Sequence, residues 1–287
     1  MLRYDVVDVF TDRAYAGNPL AVVHGGLDLS TEQMQAIARE FNLSETVFPL
    51  PTTAGGADYR VRIFTPGCEL PFAGHPSVGV AWVLARDGLI GVGDVVQECG
   101  AGLLPVHVTE HGAQITGGAP EIGADLDAAR LAAALGLTAA DVHAAVPAGV
   151  AGAGVPYAFL VVHPDAVGRA VADPAAVRAL TAGLVGLTVV AYDPAASAAH
   201  MRMFAPDAGV AEDPATGSAA VALAVFLVDR GVLAADGQTG FLISQGAEIG
   251  RPSQLGVLVH AAAGAAVRAS VWGNVVPVAR GELVALP

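Results

Sequence analysis

The chain has 287 residues, of which 54% are hydrophobic and only 14% charged, with a formal net charge of -13. That length leaves room for two domains with a large core. The acidic balance excludes nucleic acid and anionic membranes as partners, since both need a basic footprint. It leaves open an anionic small molecule held by backbone amides at a helix start.

Residues 4–10 read as a strand, Ala16-Gly17-Asn18-Pro19 as a turn, and Leu20 to Val23 as a second strand. Ser30 opens a helix: Ser30 and Gln33 have capping-box spacing, and Leu29 with Met34 has the hydrophobic-staple spacing. Met34, Ile37, Ala38 and Phe41 give one buried stripe, and the helix should end near Asn42. Leu43 to Phe48 is predicted as a short strand with Leu43, Glu45 and Val47 on one face. A carboxylate between apolar neighbours is costly to bury and has its pKa raised there. Glu45 is therefore a candidate general acid/base; the alternative is an exposed glutamate on an edge strand.

Residues 58–64 alternate as a strand, with Tyr59, Val61 and Ile63 on one face. Pro76 suits a first helical position, which makes Gly74 or His75 the cap. The helix from there to Ala85 has no polar face, so it must be buried all round. Segments 94–99, 103–109 and 113–116 are the predicted strands that cover it. A composition shift at Gly117-Gly118-Ala119-Pro120 sets the expected boundary between an N-terminal half, 1–119, and a C-terminal half, 120–287, whose last strand is free to cross back. The second half is predicted to hold helices at 127–137, 174–184 and 218–230. Its predicted strands are 156–162, 187–192, 200–204, 239–244, 256–262, 267–272 and 275–284, and 147–154 reads as Ala- and Gly-rich turns.

The two halves repeat one another. Arg62-Ile63-Phe64-Thr65-Pro66 and then Gly74-His75 reappear as Arg202-Met203-Phe204-Ala205-Pro206 and then Gly217-Ser218. Phe204 lies 140 residues after Phe64 and Gly217 lies 143 after Gly74, a three-residue insertion. A period this long fits a duplicated domain rather than a solenoid. Each half offers strand, loop and the start of a buried helix, where unpaired amides carry partial positive charge. Two such starts facing a shared cleft would suit a carboxylate.

His75 sits at the first start, where histidine can donate to a substrate, shuttle a proton, or simply cap the helix. Asp213 and Ser218 sit at the second, where each is also an ordinary N-cap candidate. Glu212 reads as a solvated acid, and Gly74 and Gly217 as points of close backbone approach. His107 and His111 have no third ligand nearby, so no metal is expected, and Cys68 and Cys99 make neither a disulfide framework nor a metal signature. Arg251 reads as a loop clamp, with contact to a ligand as the alternative. The longest apolar run, Ala219 to Val228, is well short of the roughly 18 residues of a membrane span. With no secretory pattern at Met1, a cytoplasmic protein is expected.

Six motifs in order resemble one family. They are Asp8-Val9-Phe10-Thr11 with Gly17-Asn18-Pro19, Asn42-Leu43-Ser44-Glu45-Thr46, Phe64-Thr65-Pro66 with Glu69, Phe72-Ala73-Gly74-His75-Pro76, Glu212 to Ser218, and Gln245-Gly246 with Gly250-Arg251-Pro252-Ser253. Together they look like the PhzF family of phenazine-biosynthesis isomerases, within the diaminopimelate epimerase-like fold. The resemblance implies an α/β (α+β) protein of two pseudo-symmetric domains, each a curved, barrel-like sheet around a central apolar helix, usually as a homodimer. It implies cofactor-free proton transfer on a small unsaturated or cyclic carboxylate, with trans-2,3-dihydro-3-hydroxyanthranilate as prototype. By motif, Glu45 would be the acid/base, His75 and Asp213 would assist proton delivery and orientation, and Ser218 would help bind substrate with the helix-start amides of Gly74 and Gly217. The epimerase and racemase relatives carry a thiol at each helix start; here those places hold His75 and Ser218, which disfavours two-thiol racemisation. An epimerase or racemase of a small carboxylate, and a non-catalytic metabolite-binding protein, remain the competing readings.

Overall fold

The computed structural model describes every residue from Met1 to Pro287. The chain forms two compact units, Met1–Ile115 with Trp272–Pro287, and Thr116–Val271. In chain order the elements are β1 (Leu2–Val9), β2 (Asn18–Val23), α1 (Thr31–Phe41), β3 (Glu45–Leu50), β4 (Tyr59–Phe64), β5 (Glu69–Leu70), α2 (Gly74–Arg86), β6 (Gly93–Cys99), β7 (Gly102–Val108) and β8 (Gly112–Thr116). There follow β9 (Pro120–Asp125), α3 (Ala128–Ala134), β10 (Gly149–Ala153), β11 (Pro156–Val161), α4 (Pro164–Val167), α5 (Pro174–Leu180), β12 (Leu187–Asp193), β13 (Ala198–Ala205) and β14 (Val210–Asp213). The chain ends with α6 (Gly217–Asp229), β15 (Gly237–Gln245), β16 (Ser253–Ala262) and β17 (Ala265–Leu283).

In the first unit the strands close on themselves. β1 pairs antiparallel with β2 and with the end of β17, β2 runs parallel to β3, β3 antiparallel to β4, and β4 parallel to β6. β6, β7 and β8 continue antiparallel, and β8 returns to β17. Inside this ring lies α2, whose residues from Gly74 to Ala81, with Val83 and Leu84, are buried. A helix with no polar stripe needs such a surrounding wall, as its composition requires. α1 covers the outside, packing Met34, Ile37 and Ala38 against Val23, Phe48 and Phe64. Its capping box forms as its spacing predicts: Ser30 Oγ accepts from the Gln33 amide at 3.3 Å, and Gln33 Oε1 accepts from the Ser30 amide at 3.0 Å. Asn42 ends it in the left-handed region, φ 51°, a conformation asparagine tolerates.

The second unit has the same order of pairings. β10 and β11 are antiparallel, β11 and β12 parallel, β12 and β13 antiparallel, β13 and β15 parallel, and β15 and β16 antiparallel. β9 lies against β10 as the end of β17 lies against β1. The central helix is α6, buried from Ala219 to Val228. α3, α4 and α5 pack Leu131, Leu135, Val167 and Val177 over β11 to β13.

Several expected boundaries move. The predicted strand at 43–48 starts at Glu45, because Leu43 and Ser44 are spent on the turn that leaves α1; Leu43 therefore shares no strand face with Glu45. Residues 149–153, read as turns, are β10, paired on both sides. Segments 267–272 and 275–284 are one strand, β17. At Gly273 this strand approaches its neighbour closely: a Cβ on Gly112 would lie 1.9 Å from the Gly273 carbonyl oxygen.

Candidate functional site

In the first unit the expected acid and histidine meet. Glu45 is the first residue of β3, delivered by the turn after Asn42. His75 is the second residue of α2, whose N-cap is Ala73, so neither His75 nor Gly74 caps the helix. Glu45 Oε2 stands 3.4 Å from His75 Nε2, with the side chains 16% and 6% exposed. The imidazole also hydrogen-bonds the Pro19 backbone. Proline has no N–H, so its carbonyl accepts and the ring donates. Nε2 makes no hydrogen bond, which assigns the donor to Nδ1. Burial drives the His75 pKa down to about 3 despite that bond. The ring is therefore neutral at ordinary pH, and its Nε2 lone pair faces Glu45. On that side His75 can accept a hydrogen bond but not donate one, and the 3.4 Å contact is not an ion pair.

A buried chain of polar groups sets the first turn of α2. Tyr59 donates to Gln97 Oε1 at 3.2 Å, Gln97 Nε2 donates to Ser77 Oγ at 2.9 Å, and Ser77 Oγ donates to the Ala73 carbonyl at 2.9 Å. The Tyr59 phenol is held neutral, its pKa raised first by burial. Neither Tyr59 nor Gln97 was singled out in the sequence; a buried Tyr–Gln pair on neighbouring strands has no local signature.

In the second unit Asp213 ends β14 and Ser218 is the second residue of α6. Neither caps the helix: the N-cap is Thr216, with no side-chain bond to the first turn. Asp213 Oδ2 accepts from the Thr216 hydroxyl at 2.5 Å. Gln245 locks that turn, donating from Nε2 to the Asp213 carbonyl at 2.7 Å and accepting the Thr216 amide on Oε1 at 3.1 Å. The Gln245-Gly246 motif thus fixes the entry to α6. Gly246 is required there, since a Cβ would lie 2.5 Å from the Pro214 carbonyl oxygen and φ is +79°. Ser218 Oγ lies 2.7 Å from the Tyr157 hydroxyl. Gly74 and Gly217 are the first residues of α2 and α6, and both are buried. Neither helix has a side-chain cap, so both starts keep amides and a positive field suited to an anion.

Other expectations change. Glu212 is no solvated acid: it takes a two-pronged bond from Arg202, Nε to Oε1 at 2.8 Å and an Nη to Oε2 at 2.7 Å, in a pair about nine-tenths buried. The backbone of Arg251 ties its own loop, its amide donating to the Gly246 carbonyl at 2.9 Å and its carbonyl accepting from Ser253 Oγ at 2.9 Å. A cluster that the sequence did not reveal joins Asp5, His24 and Asp87, three groups of metal-ligating type. Three guanidiniums already occupy it: Arg86 and Arg280 on Asp5, and Arg3 on Asp87. It is an internal ion-pair network tying β1, α2 and β17. Burial alone would raise the Asp5 pKa, but the bonds from Arg280, Arg86 and His24 outweigh it and hold it low.

Comparison with known proteins completes this picture. The family model described as phenazine biosynthesis-like protein, PhzC-PhzF, matches residues 7–281. An uncharacterized isomerase of Mesorhizobium japonicum is 39% identical over 98% of both chains. The trans-2,3-dihydro-3-hydroxyanthranilate isomerase of Pseudomonas chlororaphis is 34% identical over 99% of this chain and 100% of its own. A PhzF-family phenazine biosynthesis protein of Bacillus anthracis superposes with TM-score 0.89 at 26% identity, covering 99% of each chain. A probable proline racemase from Agrobacterium radiobacter, at 13% identity and TM-score 0.66 over 99% of this chain and 93% of its own, shares the fold. The chain belongs to the PhzF family, and it is an isomerase. No helix is long and apolar enough to cross a membrane.

Proposed function

We propose that this protein moves a proton between carbons of a small unsaturated or cyclic carboxylate without a cofactor, with trans-2,3-dihydro-3-hydroxyanthranilate as the first substrate to try. The observation that carries this is Glu45 set 3.4 Å from a histidine too deeply buried to hold a charge. Glu45 takes the proton from one carbon, the double bond shifts, and the same carboxyl returns the proton to another carbon. Nothing is consumed, so the net change is an isomerisation. His75, with Nε2 as acceptor, holds the proton's place beside Glu45. Asp213, fixed by Thr216, orients substrate and assists delivery. Ser218 and the amides at Gly74 and Gly217 bind the carboxylate.

The sequence argues against one cofactor, pyridoxal phosphate: all 14 of its Lys-plus-Arg residues are arginine. Without lysine the chain has no amine side chain for a Schiff base, the usual anchor of pyridoxal phosphate. Two-thiol epimerisation has no support at the helix starts, which carry His75 and Ser218, while Cys68 is exposed and Cys99 half-buried. The named relative isomerises its namesake substrate, which recommends it here.

The test is incubation with trans-2,3-dihydro-3-hydroxyanthranilate in deuterated water, with Glu45→Gln alongside, read by mass and NMR. Product with a shifted double bond and solvent deuterium, from the wild type only, is the expected result. Deuterium at a stereocentre with no double-bond shift makes it an epimerase instead. Binding with no exchange at any carbon makes it a metabolite-binding protein. We also propose a homodimer, which light scattering should report as twice the 28.7 kDa chain mass.

A further inference from the structure

The pairing registers align the two units residue by residue. Thr46 pairs with Phe64, and Leu187 pairs with Phe204. Phe64 and Phe204 match in the repeat, so Thr46 matches Leu187. Across the parallel pairs, Ala21 faces Thr46 and Ala158 faces Leu187. Hence Pro19-Leu20-Ala21 of β2 corresponds to Pro156-Tyr157-Ala158 of β11, and the shared Pro-x-Ala confirms the register. His75 corresponds to Ser218, each the second residue of its central helix.

In both units this stretch holds the residue at the helix start. In the first, the Pro19 backbone bonds the His75 ring. In the second, the Tyr157 hydroxyl bonds Ser218 Oγ at 2.7 Å. The partners differ by one position because the held side chains differ in length. An imidazole reaches across to a carbonyl, whereas a serine hydroxyl ends close to its own helix and needs a long side chain to come to it. The matching side chain already faces the helix in the first unit: a Cβ added at Gly79 of α2 would lie 2.5 Å from Leu20 Cδ2. Tyr157 takes the place of Leu20 and is itself 2% exposed.

We propose that Tyr157 is a positioning residue that sets Ser218 as a hydrogen-bond donor to the bound substrate. This rests on the reading of Ser218 as a substrate-binding group. Of two hydroxyls in contact, the phenol is the stronger acid and gives its proton to the serine oxygen. The Ser218 proton is then free to turn toward a ligand oxygen. With Tyr157 removed, Ser218 can satisfy itself within its own helix turn, as serines at such places do.

Four proteins test this: wild type, Tyr157→Phe, Ser218→Ala and the double variant. Each is measured for kcat and KM on trans-2,3-dihydro-3-hydroxyanthranilate, for binding of that compound in a Glu45→Gln background, and for melting temperature. Ser218→Ala should weaken binding and raise KM about tenfold, the scale of one hydrogen bond to a charged group. Tyr157→Phe should give most of that loss with kcat less affected, and the double variant should be no worse than Ser218→Ala alone. Losses that multiply overturn the proposal, as does a Tyr157→Phe that lowers only the melting temperature. If Ser218→Ala itself changes neither binding nor KM, the role of Ser218 fails and the proposal falls with it. If that variant loses binding while Tyr157→Phe does not, only the proposal fails. A crystal structure of Tyr157→Phe decides independently of any substrate: Ser218 Oγ should leave its place, and an unmoved single rotamer overturns the idea.

Discussion

Arg62 and Arg202 stand at the same point of the repeat and do the same thing in different surroundings. Each guanidinium lies over the phenylalanine two residues on, at 5.1 Å for Phe64 and 5.2 Å for Phe204. Each forks onto the glutamate of the short strand that follows, Glu69 or Glu212. The first pair is partly open to solvent, 19% and 37% exposed, and the Nη that reaches Glu69 also donates to Thr31 at the start of α1. The second is 8% and 9% exposed and donates to the carbonyls of Val167 and Ala170. The repeated residues fix the geometry, and the covering helices decide what that geometry is worth. The chemistry diverges further. Glu45 matches Gly186, since Thr46 matches Leu187, and a Cβ at Gly186 would lie 2.4 Å from the Phe204 carbonyl oxygen. Asp213 matches Leu70, which follows Glu69 as Asp213 follows Glu212. The two units thus share a scaffold and divide the polar groups between them.

The largest effect should come from Glu45, the carboxylate whose counterpart is a glycine. Glu45→Gln keeps the shape and should cut kcat by about a thousandfold or more, the range of general acid–base contributions, with the melting temperature unchanged. Retained activity in that variant would remove the asymmetry from the mechanism. The next largest is structural. Arg202→Ala leaves Glu212 buried with no opposite charge and exposes the Val167 and Ala170 carbonyls to loss of their partner. A broken buried pair costs about 3–5 kcal/mol, which denaturant titration should show as a large fall in midpoint.

Much of this scaffold was legible in the sequence. The two all-apolar helices announced themselves by lacking any polar face, and the Ser30 capping box by its spacing. The repeat located both helix starts. What could not be read has a common cause: it depends on partners distant in sequence. Gly149 to Ala153 looks like turn composition, yet it is a strand in which small residues let α6 approach. Glu212 looked solvated because its partner lies ten residues upstream on another strand. Tyr157 carried no signal of its own, and only the register that matches it to Leu20 gives it meaning. Glu45 was proposed for a partly mistaken reason. It opens β3 rather than alternating with Leu43, and its significance comes from His75, 30 residues on.

His75 and Ser218 differ in a way that pH can expose, since only His75 titrates. Its folded pKa of about 3 lies below the ordinary histidine value of 6.5. Above pH 6.5 both folded and unfolded chains hold it neutral, and it contributes no pH dependence. As pH falls below 6.5 the unfolded chain takes up a proton that the folded chain refuses, so stability is lost progressively down to about pH 3. By linkage the loss at pH 5 is about 2 kcal/mol. His75→Asn should abolish that increment: the drop in unfolding free energy from pH 7 to pH 5 should be smaller in the variant by about this amount. An equal drop in both proteins would mean that the ring is charged or exposed.

The smallest effect is the control for the buried arginine. Arg62→Ala removes the same fork, the same ring contact and a bond to Thr31 in place of the two carbonyl bonds of Arg202, so a count of contacts predicts a loss nearly as large as that of Arg202→Ala. The physical argument predicts otherwise. Glu69 is 37% exposed and regains water when its partner leaves, so only the net value of a surface pair is lost, about 1 kcal/mol or less. That net value should shrink further in high salt, because exposed charges are screened, while the Arg202 effect should hardly change. Equal losses for the two arginines, with equal salt dependence, would show that the repeated contacts themselves, rather than their burial, carry the energy.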